Sequence, residues 1–160
     1  MIPLSFKEFL IDIQKTLDDV TNVLIDEESK DYAACQFIMS GKKNLFRNAK
    51  KTPKKVGMFV TLWKRPTKDS EICPFDKTDN VDFVIVKSRD EYDDGYFVFP
   101  VDVFFKYGIF SKDQKDGKRA IRVYSPSHIT QNLQSTKTQK WQKNYFVKRC
   151  DILNLWKIFK

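Results

Sequence analysis

Between Tyr32 and Lys68 the chain has no Asp or Glu, although ten Lys and Arg residues fall there. Other scarcities are as informative. Five Gly and six Pro in 160 residues argue against disorder, collagen-like sequence and repeat arrays. No glycine-rich loop of either common form is present, so the usual backbone cradle for nucleotide phosphates is missing. His128 is the single histidine, and Cys35, Cys73 and Cys150 are far apart with no CxxC pair. That argues against a structural zinc site and for reduced, mostly buried thiols in a cytosolic protein. No apolar run is long enough to span a bilayer. The first residues lack the charged start, unbroken apolar core and small-residue site of a secretory leader. A soluble cytoplasmic protein with no membrane partner is expected.

What is present fits one domain over residues 1–160. Hydrophobic residues make up 41% and aromatics 14%, enough for a core built largely from rings, without disulfide or metal staples. The net charge is +8 and the pI about 9.3. Such an excess favours an anionic partner, either nucleic acid (DNA or RNA) or an acidic protein.

Ser5 and Glu8 read as a capping box. Phe6, Phe9, Leu10, Ile13, Leu17 and Val20 then recur at helical spacing, predicting an amphipathic helix followed by an acidic loop, Asp26 to Asp31. Ala34–Met39 and Asn44–Lys50 read as a hairpin turned at Gly41-Lys42-Lys43. Thr52-Pro53 predicts a short helix start, stopped at Gly57. Met58–Trp63 predicts an interior strand, apolar on both faces. Val81–Lys87 and Tyr96–Phe99 predict two more strands around an acidic turn. Pro100–Tyr107 predicts a helix ended by Gly108, and Arg119–Tyr124 the last strand. The C-terminal part reads as helical, with Thr136 and Gln139 as a second capping box. Trp141, Tyr145 and Phe146 give one apolar stripe. Ile152, Leu153, Leu155, Trp156, Ile158 and Phe159 are too apolar for a solvated tail. The predicted class is α/β: a mixed sheet flanked by helices.

The run Phe46-Arg47-Asn48-Ala49-Lys50-Lys51-Thr52-Pro53-Lys54-Lys55-Val56-Gly57-Met58-Phe59-Val60-Thr61-Leu62-Trp63-Lys64-Arg65 closely resembles the signature of the MepB family. So do Gly95–Pro100, Gly117-Lys118-Arg119, Arg122-Val123-Tyr124 and Thr138–Gln142, in the same order. The family takes its name from a bacterial operon that also encodes a multidrug efflux pump and its repressor. The resemblance implies a restriction-endonuclease-like fold and a nucleic-acid theme.

A nuclease of that fold, of the PD-(D/E)xK type, holds Mg²⁺ between two strand carboxylates. A lysine follows two residues after the second acid, on the same strand face. Here the lysines stand without the acids. Leu62 precedes Lys64 and Ile85 precedes Lys87. A site would have to combine Glu27 or Glu28 (or Asp31) with Asp82 (or Asp76, Asp79) and Lys64 or Lys87, and each acid reads first as a solvated loop charge. His128 has no acid pattern nearby and reads as a surface residue. Cys35 reads as packed.

For binding, Lys50, Lys51, Lys54 and Lys55 surround the expected helix start, Lys64 and Arg65 leave the next strand, and Arg47 leaves the previous one. Arg122, beside Lys118 and Arg119, and Lys140, beside Lys143, come from later elements. Trp63 and Trp141 are stacking candidates, with core packing the competing role for each. No base-reading helix, zinc finger or RNA-recognition motif is evident. The expectation is non-specific nucleic-acid binding on a degenerate nuclease-like fold. The alternatives are an active Mg²⁺-dependent nuclease and a non-catalytic module of an efflux operon that binds an acidic protein. No metal site or cofactor is assigned outside the nuclease alternative.

Overall fold

The structure, a computed structural model, describes residues 1–158, with side chains through residue 155. Its centre is a mixed sheet that takes its strands from most of the chain. They are β1 (Thr21–Ile25), β2 (Cys35–Met39), β3 (Lys42–Asn48), β8 (Phe83–Arg89), β9 (Asp94–Pro100) and β11 (Phe146–Lys148), in that spatial order. Only the β3–β8 pairing is parallel; its neighbours run antiparallel. Beside it lies a smaller antiparallel sheet, in which β5 (Met58–Thr61) sits between β10 (Ala120–Val123) and β4 (Lys50–Lys51). A short ribbon pairs β6 (Trp63–Lys64) with β7 (Cys73–Pro74). The helices are α1 (Leu4–Asp12), α2 (Val101–Lys106), α3 (Leu133–Gln142) and α4 (Ile152–Ile158).

Strand alternation divides the core in two. Leu45, Val84, Val86, Phe97 and Phe99 face the small sheet, α2 and α3. Phe46, Ile85, Tyr96 and Val98 point the other way, onto Phe6, Phe9 and Leu10 of α1, Ile13 just after it, and Ile152 of α4. The mixed sheet is therefore sandwiched, and its central strands are apolar on both faces. Leu153 and Leu155 are half-buried, while the side chains of Trp156, Ile158 and Phe159 lie outside the described residues.

Several local expectations give way to packing. α1 begins at Leu4 with Pro3 as its cap residue, which puts Ser5 inside the helix, where its hydroxyl cannot cap. Glu8 is drawn to Lys87 of β8 instead. The helix does not reach Val20. Gln14 is left-handed (φ 56°), and Lys15 N–H donates to the Leu10 carbonyl, closing the end. A capping box does form one segment later, between Thr16 and Asp19. Thr21–Ile25 is an edge strand the helical pattern concealed, and the acidic loop coils into a 3₁₀ turn, Glu27–Tyr32. The hairpin turns at Ser40 and Gly41, both at positive φ, so Lys42 and Lys43 belong to β3. Residues 52–57 make no helix. Lys51 pairs with Met58, so they form the loop of a β4–β5 hairpin. α3 begins at Leu133 behind the Asn132 cap, not at Thr136. β10 is not the last strand, because Phe146 leaves the apolar stripe to open β11. Of the thiols only Cys35 is buried, which pushes it up to about 12.

Gly57 ends the 52–57 loop at φ +86°, and an added Cβ would lie 2.6 Å from the Tyr124 ring. Gly57→Ala is expected to cost roughly 1–3 kcal/mol through backbone strain and overpacking. Urea denaturation should show a lower midpoint at unchanged slope. An unchanged midpoint would contradict this close approach.

Candidate nucleic-acid interface

Three of the ten cations of the acid-free stretch are engaged by acids from elsewhere in the chain. Lys51 Nζ donates to Glu91 Oε1 at 2.7 Å. Arg65 Nε lies 3.0 Å from Glu28 Oε2. Lys64 Nζ reaches Asp79 Oδ2 at 2.8 Å and Asp76 Oδ2 at 3.3 Å. Lys50 Nζ sits 5.1 Å from the Tyr32 ring centroid. Arg47 is not at the surface at all. It is 2% exposed and donates to the carbonyls of Thr61 and Phe46. Burial pushes its guanidinium down to about 10, still charged at neutral pH. Phosphate contact by Arg47 is therefore excluded by its position between the sheets.

A different basic surface exists. A cleft of about 1080 Å³ opens between the 52–57 loop, β10, the end of α2 and α3. Its cations are Lys54, Lys55, Lys118, Arg122, Lys137 and Lys140, and among the described residues no Asp or Glu lines it. None of the six is in an ion pair among the described residues, which leaves their charge unneutralised. Phe59, Tyr107, Tyr124 and Trp141 add rings to the walls. Five of the sequence candidates meet here: Lys54, Lys55, Arg122, Lys140 and Trp141. Lys50, Lys51, Lys64, Arg65 and Trp63 lie elsewhere. Lys137 and Tyr107 gave no signal in sequence, because each reads as an ordinary exposed position until the helices are placed.

Side-chain amides dock α3 on β10. Gln142 is buried, accepts from Tyr124 N–H at 2.7 Å and donates to the Arg122 carbonyl at 2.9 Å. Gln139, expected as a cap partner, donates to the carbonyls of Ser125 and His128 instead. Arg122 is aimed from below by the Val56 and Gly57 carbonyls and the Thr52 hydroxyl.

The segment between β10 and α3 is held by the turn joining β8 and β9. His128, expected at the surface, is buried: Nε2 lies 2.5 Å from Asp90 Oδ2, with side-chain exposures of 5% and 6%. Asp93 accepts from the Ser127 amide and hydroxyl. Ser125 N–H donates to His128 Nδ1 at 2.9 Å, and Ser125 Oγ is 3.2 Å from the same nitrogen. The order Ser125, His128, Asp90 is that of a hydrolase triad, but Nδ1 already holds a backbone proton and Ser125 is 1% exposed. These three form a clasp, not a nucleophile.

The nuclease candidates do not assemble. Asp82 accepts from Lys43 N–H, Glu28 holds Arg65, Lys87 is buried against Glu8 of α1, and Lys64 is taken up by Asp76 and Asp79. Two carboxylates do converge on Lys64, those of Asp76 and Asp79, yet its ammonium fills the space between them and both also cap their own 3₁₀ turn. Among the described residues no three His, Cys, Asp or Glu side chains form a group that could hold a metal ion.

Fold and site together define a mixed α/β protein with a basic cleft on its minor sheet, lined by no carboxylate among the described residues. The chain belongs to the MepB-like family, whose profile matches residues 26–148. The crystal structure of MepB is 30% identical, covers 91% of this chain and 96% of its own, and superposes with a TM-score of 0.77. A bacterial homing endonuclease is 16% identical over 98% of this chain and 94% of its own, with a TM-score of 0.45. No curated protein matches the chain.

Proposed function

We propose that this protein binds nucleic acid through the cleft, by phosphate contacts and without reading sequence. The observation that carries the reading is six unpaired cations converging on one concavity with no carboxylate among the described lining residues. Cations so placed release the counterions condensed on a phosphate backbone, the principal source of non-specific affinity. The rings between them suit bases, and the exposed amides of Gln131, Gln134 and Asn144 offer donors and acceptors to any base edge.

Nuclease chemistry is the weaker reading of the same family resemblance. The positions that would carry the metal-binding acids are Leu62 and Ile85, both wholly buried. We therefore read the fold as one that holds nucleic acid without cutting it. A cytoplasmic home suits this role and the free thiols of Cys35, Cys73 and Cys150. No helix among the described residues is long and apolar enough to cross a membrane.

The test is fluorescence anisotropy with labelled DNA and RNA oligonucleotides across a salt series, with a plasmid incubated in Mg²⁺ or chelator alongside. Six contacts give a slope of log affinity against log salt near −4 on single strands and near −5 on duplex. A slope near zero, or no retention at low salt, would sink the proposal. Metal-dependent cutting would replace it with the nuclease reading, and selective capture of an acidic protein with the interaction-module reading.

A further inference from the structure

The cleft contains a feature that phosphate contact leaves unused. Tyr107, at the end of α2, and Trp141, on α3, stack with ring centroids 4.3 Å apart and planes at 8°. Trp141 is half-buried and backed by Phe99 of β9, whose centroid is 5.7 Å away and which lies wholly within the core. Tyr107 is 41% exposed and lines the cleft. Lys106 Nζ lies 5.3 Å from the Tyr107 centroid and is exposed. An aromatic column thus runs from the core to the cleft and ends in an exposed ring, over which the exposed and flexible Lys106 side chain lies.

We propose that the occupant of the cleft is single-stranded nucleic acid, with an unpaired base stacked on the Tyr107–Trp141 pair. The inference rests on the nucleic-acid reading of the cleft. A duplex shows the cleft its phosphates but keeps its base faces covered by neighbouring pairs, so the exposed ring would gain nothing from it. An unpaired base offers a free π-face at any sequence, and its phosphates remain within the same field of lysines. Core support matters because a ring already fixed by Trp141 loses little freedom when a base lands on it. A solitary exposed tyrosine would have to be ordered first.

The experiment measures dissociation constants by anisotropy for a labelled pyrimidine-rich DNA oligonucleotide, the same strand annealed to its complement, and the RNA of the same sequence. The wild type is compared with Tyr107→Ala, Tyr107→Leu and Tyr107→Phe. Single strands are expected to bind about tenfold more tightly than duplex. Tyr107→Ala and Tyr107→Leu should each weaken single-strand binding roughly tenfold while leaving duplex binding within about twofold. Tyr107→Phe should restore it, since the ring, not the hydroxyl, makes the stack. Circular dichroism confirms that each variant is folded, and Tyr107→Leu keeps the test alive should the alanine variant unfold. The tighter of the DNA and RNA strands identifies the source. Equal affinity for duplex and single strand, or equal weakening of both by Tyr107→Leu, overturns the inference and leaves the phosphate reading intact. Absence of binding to every form overturns the phosphate reading itself.

Discussion

Reversing three charges in the cleft, by Lys118→Glu, Lys137→Glu and Lys140→Glu together, is expected to lower single-strand affinity at least about a hundredfold near 0.1 M salt. All three side chains are exposed, line the cleft and lack ion-pair partners among the described residues. Each phosphate contact contributes about 0.7 to the salt exponent on single strands, so each is worth roughly fivefold at that concentration and three give about two orders of magnitude. Reversal adds repulsion to that loss. The salt slope should fall by about two, which separates lost contacts from a damaged fold. A matched triple reversal at Lys7, Lys42 and Lys77, all exposed and outside the cleft, changes net charge by the same amount. It should cost far less affinity. Equal loss in the two triples would mean that bulk charge, not the cleft, attracts the ligand.

Asp90→Ala should cost about 3–5 kcal/mol of stability, the range for breaking a buried charged hydrogen-bond cluster by removing one partner. Asp90 Oδ1 accepts from Tyr92 N–H at 2.9 Å and Asp93 N–H at 3.0 Å, while Oδ2 lies 2.5 Å from His128 Nε2. Truncation strands the buried His128 donor and leaves the Tyr92 and Asp93 amides without their acceptor. Burial by itself would raise the Asp90 carboxyl; the hydrogen bonds from Asp93, His128 and Tyr92 outweigh it and hold the group below the usual carboxylate range. A folded-state pKa below the unfolded one means that the stabilisation is complete above about pH 4 and is lost as pH falls below it. Urea denaturation should therefore show a large gap between wild type and Asp90→Ala at neutral pH, narrowing near pH 3. A gap that stays constant, or widens, in acid would contradict the linkage. Because the Asp90 clasp fixes the segment entering α3, the variant should also weaken oligonucleotide binding, in parallel with its stability and without the strand-form selectivity expected of Tyr107 variants.

The central strands could be read from sequence because their signal is local. Val84 to Val86 and Tyr96 to Phe99 bury both faces, so an unbroken apolar run near sharp turn residues is enough. The same holds for α2, where Gly108 takes a left-handed conformation just after the helix. Signals that depended on one side chain choosing among partners failed. Ser5, Thr136 and Gln139 each fit a capping pattern, but helix starts shifted by a few residues and Gln139 found carbonyls across the fold. Thr21–Ile25 was concealed because an edge strand needs only one apolar face, which a helical pattern can share.

The cleft shows the same division. Sequence established the excess of positive charge, the absence of acids from Tyr32 to Lys68, and the lysines that lack nuclease carboxylates two residues before them. It could not establish which lysines stay free. Charge neutralisation is a matter of distance in space: Glu28, Asp76, Asp79 and Glu91 fold back onto Arg65, Lys64 and Lys51, and burial removes Arg47 from the surface. Folding then gathers Lys54 and Lys55, Lys118 and Arg122, and Lys137 and Lys140 from three separate segments around a stacked ring pair. The sequence by itself determined that this protein would carry unbalanced positive charge on an α/β frame. Tertiary structure decided where that charge remains available, because ion pairing and burial depend on neighbours that the linear order does not bring together.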